Sequence, residues 1–151
     1  MKRSPLRRKS PTKRRTTSPR CTVQRCSKPG DPLCVTHTEQ RADRLFSLFI
    51  RNRDGRCTAN FHHDCGQSLH AAHIIGRRNQ SVRYSPANVH ALCPAAHILV
   101  DQHGREGIKY QWALSRLGFD AFVDLTEESR AMTKRKDSAQ TALAWLEAEA
   151  A

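Results

Sequence analysis

The sequence predicts a small α+β domain, a strand–loop–strand–helix unit with helices on either side, behind a basic arm. Three observations predict it. At 151 residues the chain has room for one compact domain plus a tail. Two short segments, residues 68–75 and Val82-Arg83-Tyr84, read as a strand and its return, joined by the irregular basic loop Gly76-Arg77-Arg78-Asn79-Gln80. Apolar residues recur at helical spacing before and after that hairpin.

The elements follow in order. Residues 1–20 carry nine Lys/Arg and no acid, and Leu6 is their only large apolar side chain besides Met1. Such a segment cannot bury enough surface to fold alone, so a disordered arm is expected. Residues 21–37 read Cys-x4-Cys-x7-Cys-x2-His, with Cys21, Cys26, Cys34 and His37 as candidate ligands and Pro29-Gly30-Asp31-Pro32 as a turn. Four soft ligands at this spacing suit a closed, structural zinc knuckle whose folding energy comes from the metal. A connecting helix is expected over 38–52 within a segment 38–56, because Ala42, Leu45, Phe46 and Phe49 form one apolar stripe. Asp54-Gly55 ends it.

Cys57 and Cys65 open a core unit over residues 57–104. Pro94 suits the first turn of a helix over 94–103, and Gly104 its end. A helical region over 105–151 follows. It comprises a helix over 106–117 stopped by Gly118, a short one around Phe119, Phe122 and Leu125, and a last one over 138–149. Asp137 and Gln140 give that last helix a capping box before Ala139, Ala142, Leu143 and Leu146.

Charge narrows the function classes. The net charge is +12, but residues outside the arm hold 17 Lys/Arg against 14 Asp/Glu. The positive field therefore belongs mainly to the arm, and a basic disordered arm binds polyanions through phosphate contacts and counterion release. No run of apolar residues is long enough to cross a membrane, so no membrane partner is expected. No signal-peptide hydrophobic region follows the basic N-terminus, so the expected location is cytoplasmic. The six Cys are interleaved with His at short spacings, which favours zinc over a disulfide framework.

The chemistry-bearing residues are His73, Asn88, His97 and Asp101, at intervals of 15, 9 and 4. Phosphodiester hydrolysis needs a deprotonated water, stabilised transition-state charge and a neutralised leaving oxygen. His73, at the end of a strand, is the candidate base, its other ring nitrogen held by a backbone or amide acceptor. Asn88 is the candidate for bracing the loop or orienting that ring. His97 and Asp101, four apart on a helix, share a face and could hold one divalent ion.

These four residues, with Ala72-His73-Ile74, Arg83-Tyr84, Leu92-Cys93, Phe49-Ile50-Arg51-Asn52-Arg53-Asp54 and the Cys57/Cys65 pair, resemble the HNH endonucleases of phages and prophages, including recombination nucleases of the NinG/Rap type. The resemblance covers most of the chain. It implies a ββα-metal (His-Me finger) core buttressed by structural zinc, and a hydrolase that nicks or cleaves DNA with Mg²⁺, Mn²⁺, Ni²⁺ or Zn²⁺. It implies DNA as partner, other phage DNA-processing proteins as associates, a role in phage recombination, packaging or processing, and the cytoplasm of a bacterial host.

Two departures stand against the family pattern. Ala72 occupies the position before the base where many members carry a further metal ligand. Ala96 stands where the second Cys pair would end, so Cys57, Cys65 and Cys93 need His62 or His63 to complete a second structural zinc site. Arg77, Arg78 and Arg83 are expected beside the cut, facing phosphates. The competing reading is a non-enzymatic, zinc-stabilised DNA-binding protein that keeps the HNH shell.

Overall fold

A computed structural model describes residues 19–30 and 32–149. Nearly all of the expected arm lies outside the described residues. The chain forms two units, one ending at Cys34 and one starting at Val35.

The first unit is a knuckle. Its ends are tied by the Gly30 amide donating to the Pro19 carbonyl at 2.9 Å, and by the Thr22 amide and hydroxyl both donating to Pro32 O, at 2.8 and 3.0 Å. Glycine is required at position 30, where a Cβ would overlap the Cys34 backbone. The predicted turn is thus set by close approach of the chain to its own third cysteine.

The second unit runs α1 (Val35–Asp54), β1 (His70–His73), β2 (Val89–Leu92), α2 (Pro94–Asp101), α3 (Glu106–Leu117), α4 (Phe119–Glu128) and α5 (Arg135–Glu149). It is a small α+β arrangement with one two-stranded antiparallel sheet among the described residues. Pairing sets Ala72 opposite His90 and His73 opposite Val89.

Both faces of the sheet are covered. Val89 and Ala91 pack with Phe46 and Ile50 of α1 and Leu146 of α5. Ala72 and Leu92 pack with Ala96 and Val100 of α2, Trp112 and Ala113 of α3, and Leu125 of α4. α1 buries the predicted stripe at Ala42, Phe46 and Ile50. Gly55, at a φ of 63°, ends α1 with its amide on Arg51 O at 3.0 Å. α5 buries Ala139, Ala142 and Leu146. Ala42 of α1 meets Ala139 and Ala142 of α5, so small side chains let the two helices approach closely.

The return strand differs from the expectation. Val82-Arg83-Tyr84 lies in a turn, and the chain pairs instead through Val89-His90-Ala91-Leu92. All four residues of β2 are buried, so the strand lacks the in–out alternation that reveals a one-sided strand. Strand β1 is also shorter than 68–75, because past His73 the Ile74 and Ile75 amides turn to the backbone and side-chain oxygens of Asn88.

Candidate metal centres and the His73 cleft

Two groups of ligand atoms each converge within 4.8 Å: Cys21, Cys26, Cys34 and His37, and Cys57, His63, Cys65 and Cys93. None of the six cysteines forms a disulfide. Both sets are thiolate–imidazole tetrads, the donor chemistry of a closed zinc site. In the second, the His63 Nδ1–H donates to Phe61 O at 2.8 Å, which leaves Nε2 as the lone-pair nitrogen, 3.5 Å from Cys57 Sγ. The sequence left His62 and His63 open. Only His63 joins the group; His62 is exposed. Cys93 is the residue before α2. Burial works to raise its thiol, but backbone donors at Ala96 and Gly66 and the neighbouring Cys57 and Cys65 outweigh it and bring it down to about 7. An ion held by the second tetrad would fasten residues 57–65 to the start of the helix that carries His97 and Asp101.

Those two residues meet His73 across one cleft of about 210 Å³, together with Ala71, Arg77 and Lys109. His97 Nε2 lies 3.2 Å from Asp101 Oδ2, and the ring of His70 stands edge-on to that of His97 at 5.9 Å. The Lys109 ammonium, which the sequence reading missed, holds the other carboxylate oxygen at 3.1 Å. It lies on the next helix, eight residues beyond Asp101, where no local spacing connects the two. His103, in the turn after α2, is exposed and does not line the cleft.

His73 Nε2 is 3.1 Å from the Arg83 carbonyl. A carbonyl only accepts, so the proton sits on Nε2 and Nδ1 keeps its lone pair. Burial pushes the imidazole down to about 4; the Arg83 carbonyl opposes this, and the Arg77 and Arg83 charges add to it. His73 is thus neutral near pH 7. Burial likewise lowers His97, against the pull of Asp101.

Asn88 does not reach the cleft. It is fully buried. Its Oδ1 accepts from the Ile75 amide at 2.7 Å, and its Nδ2 donates to Ile75 O and Val82 O at 3.0 and 2.9 Å. Of its two expected roles it has the bracing one, closing the loop between the strands. That loop also carries Arg83, whose carbonyl holds the His73 ring.

The three arginines divide. Arg77 lines the cleft, and Arg77 and Arg78 are exposed. Arg83 departs from the expectation of a phosphate contact. Its side chain is only 11% exposed and pairs with Glu39 at 2.9 Å and Asp43 at 2.7 Å, both on α1. Tyr84 OH adds a bond to Asp43 Oδ1 at 2.9 Å, and Arg135 of α5 also pairs with Glu39. The arginine that looked like substrate binding anchors the loop.

The Arg53-Asp54 end of the resemblance motif is equally structural. Arg53 donates to Pro86 O and Val89 O at 2.7 and 2.8 Å and to Asp54, while Asp54 Oδ2 accepts from the Ala91 amide at 2.6 Å. This pair docks the end of α1 on β2. Ala72, where a further ligand was missing, is buried in the core and turned from the cleft that its neighbours Ala71 and His73 line. Compared with models of protein families, with curated proteins and with solved structures, the chain matches none.

Proposed function

We propose that the chain is a metal-dependent HNH-type endonuclease that hydrolyses DNA phosphodiester bonds. The observation that carries this reading is the shared cleft of His73, His97 and Asp101, with His73 neutral and its Nδ1 lone pair available. The β1–β2–α2 succession with a Cys/His tetrad at the helix start agrees with a ββα-metal core.

In this reading His73 accepts a proton from the attacking water at Nδ1. The Arg83 carbonyl keeps the ring oriented, and Asn88 keeps the loop that carries Arg83 closed. His97 Nε2 and Asp101 would hold one divalent ion, which supplies charge stabilisation for the phosphorane-like transition state. Two protein donors leave its remaining positions for phosphate and water. Arg77 and Lys109 present cations to the phosphate, and Lys109 exchanges its bond to Asp101 for one to substrate. The two Cys/His tetrads hold structural zinc. Nothing in the cleft reads base edges, so cutting has little sequence preference. Phage or prophage DNA recombination, packaging or processing in a bacterial cytoplasm is the setting the reading suggests.

The test is nicking of supercoiled plasmid with Mg²⁺, Mn²⁺ or Ni²⁺. The expected result is metal-dependent nicking by the wild type and none by His97→Ala. Absence of nicking with every metal would sink the enzyme reading. One observation favours the second reading, a zinc-stabilised DNA-binding protein without activity: the Lys109 ammonium already neutralises Asp101. The wild type separates the two: metal-dependent nicking means that the ion displaces Lys109 from Asp101, whereas nicking that is absent in the wild type and appears only in Lys109→Ala means that this ion pair blocks the site.

A further inference from the structure

We propose that Arg56 and Arg116 form a second phosphate-binding site, which grips nucleic-acid backbone outside the His73 cleft. This rests on the reading that the chain acts on nucleic acid. A hollow of about 450 Å³ is lined by Arg53, Arg56, Arg116, Asp54 and Thr58. Asp54 is paired with Arg53 and bonded to the Ala91 amide, so these two charges balance and the net positive charge of the hollow comes from Arg56 and Arg116. Arg53 is fixed by backbone carbonyls and makes a rigid wall of the hollow. Arg56 and Arg116 are exposed and have no hydrogen bond or ion pair among the described residues. Their planar N–H forks are open, and that geometry fits the paired oxygens of a phosphodiester.

The placement of Arg116 argues for a polymer over a free phosphate. Lys109, at the cleft, and Arg116 are seven residues apart on α3. Seven residues are about two turns, so both project from one face, about 10 Å apart along the axis. One strand advances that far in about three nucleotides, at ~3.4 Å each. α3 thus spaces a gripping site from a cutting site, and a free phosphate would have no use for the separation.

The test is equilibrium binding of a short labelled duplex to the zinc-loaded chain without added Mg²⁺, over a salt series. The variant is Arg56→Ala/Arg116→Ala, and the control is Arg130→Ala/Lys136→Ala, which removes the same charge from exposed positions elsewhere. The proposal expects the first variant to weaken binding roughly tenfold and to flatten the log–log salt slope by about 1.8, two contacts at ~0.9 each. The control should move little, and both should keep wild-type zinc content. Equal losses in both variants, or none in the first, would overturn the proposal. If the wild type itself neither binds nor nicks DNA, the nucleic-acid reading falls and this inference with it; wild-type binding with an unaltered Arg56/Arg116 variant removes this inference alone.

Discussion

His73 and Asn88 show how single residues divide the work. A lone histidine on a strand titrates near 6.5, but burial holds His73 near 4. A base must be unprotonated to act, so the rate should stay level from neutral pH down past 6 and fall only as pH approaches the folded value. The pH profile of nicking at saturating metal checks this, and an acid limb centred on 6.5 would contradict the buried-base assignment. Asn88 acts at one remove. Asn88→Ala leaves the Ile75 amide and two carbonyls unpaired in a buried site, which should cost about 3 kcal/mol by denaturant unfolding. Arg83→Ala tells the same kind of story. It strips the cation from Asp43, leaving only the Tyr84 hydroxyl, and one partner from buried Glu39, so a loss of about 2–4 kcal/mol in stability is expected. A variant that lost DNA affinity at unchanged stability would restore Arg83 to the substrate.

At the scale of elements, the hairpin and α2 are held by anchors distant in sequence. α3 inserts Trp112 fully buried beneath the sheet, its ring edge-on to His90 at 6.1 Å and its indole N–H 3.4 Å from Thr58 Oγ1. Trp112→Ala should cost about 3–5 kcal/mol, seen as a lower denaturant midpoint. An ion on the second tetrad would tie residues 57–65 to the N-terminus of α2. Cys93→Ala should therefore lower zinc content by one ion per chain and loosen α2, measured by elemental analysis and by faster amide exchange over 94–101. The first four helices were legible from local signals, the α1 stripe, Pro94 at the start of α2 and Gly118 between α3 and α4, whereas α5 starts at Arg135 and takes the expected cap Asp137 into its first turn. The return strand was not legible. Val89-His90-Ala91-Leu92 is buried on both faces and does not alternate, whereas Val82-Arg83-Tyr84 looked strand-like for residues whose side chains reach α1. The juxtaposition of His73, His97 and Asp101 was legible as a spacing, with Asn88 falling outside their cleft as the brace of the loop. Lys109 was not, because its bond to Asp101 depends on how α3 folds back on α2.

For the whole molecule, charge and candidate metal ligands are distributed by segment. The described part from Val35 onward is a two-sided sheet between helices, and the arm's nine basic residues in the first twenty carry most of the excess charge. Deleting residues 1–18, which spares the Pro19 carbonyl that ties the knuckle, should weaken duplex binding and flatten its salt dependence while leaving the His73 cleft intact. Nicking at low salt and high enzyme should survive the deletion; an unchanged salt slope would make the arm a bystander. The central claim concerns the cleft, and one comparison tests it most directly. Wild type and His73→Ala, matched for zinc content, are assayed for nicking of supercoiled plasmid with a divalent metal and with EDTA. The account predicts EDTA-sensitive nicking by the wild type and a loss of at least a hundredfold in the variant, the scale of a general base. Equal nicking by the two proteins would contradict it.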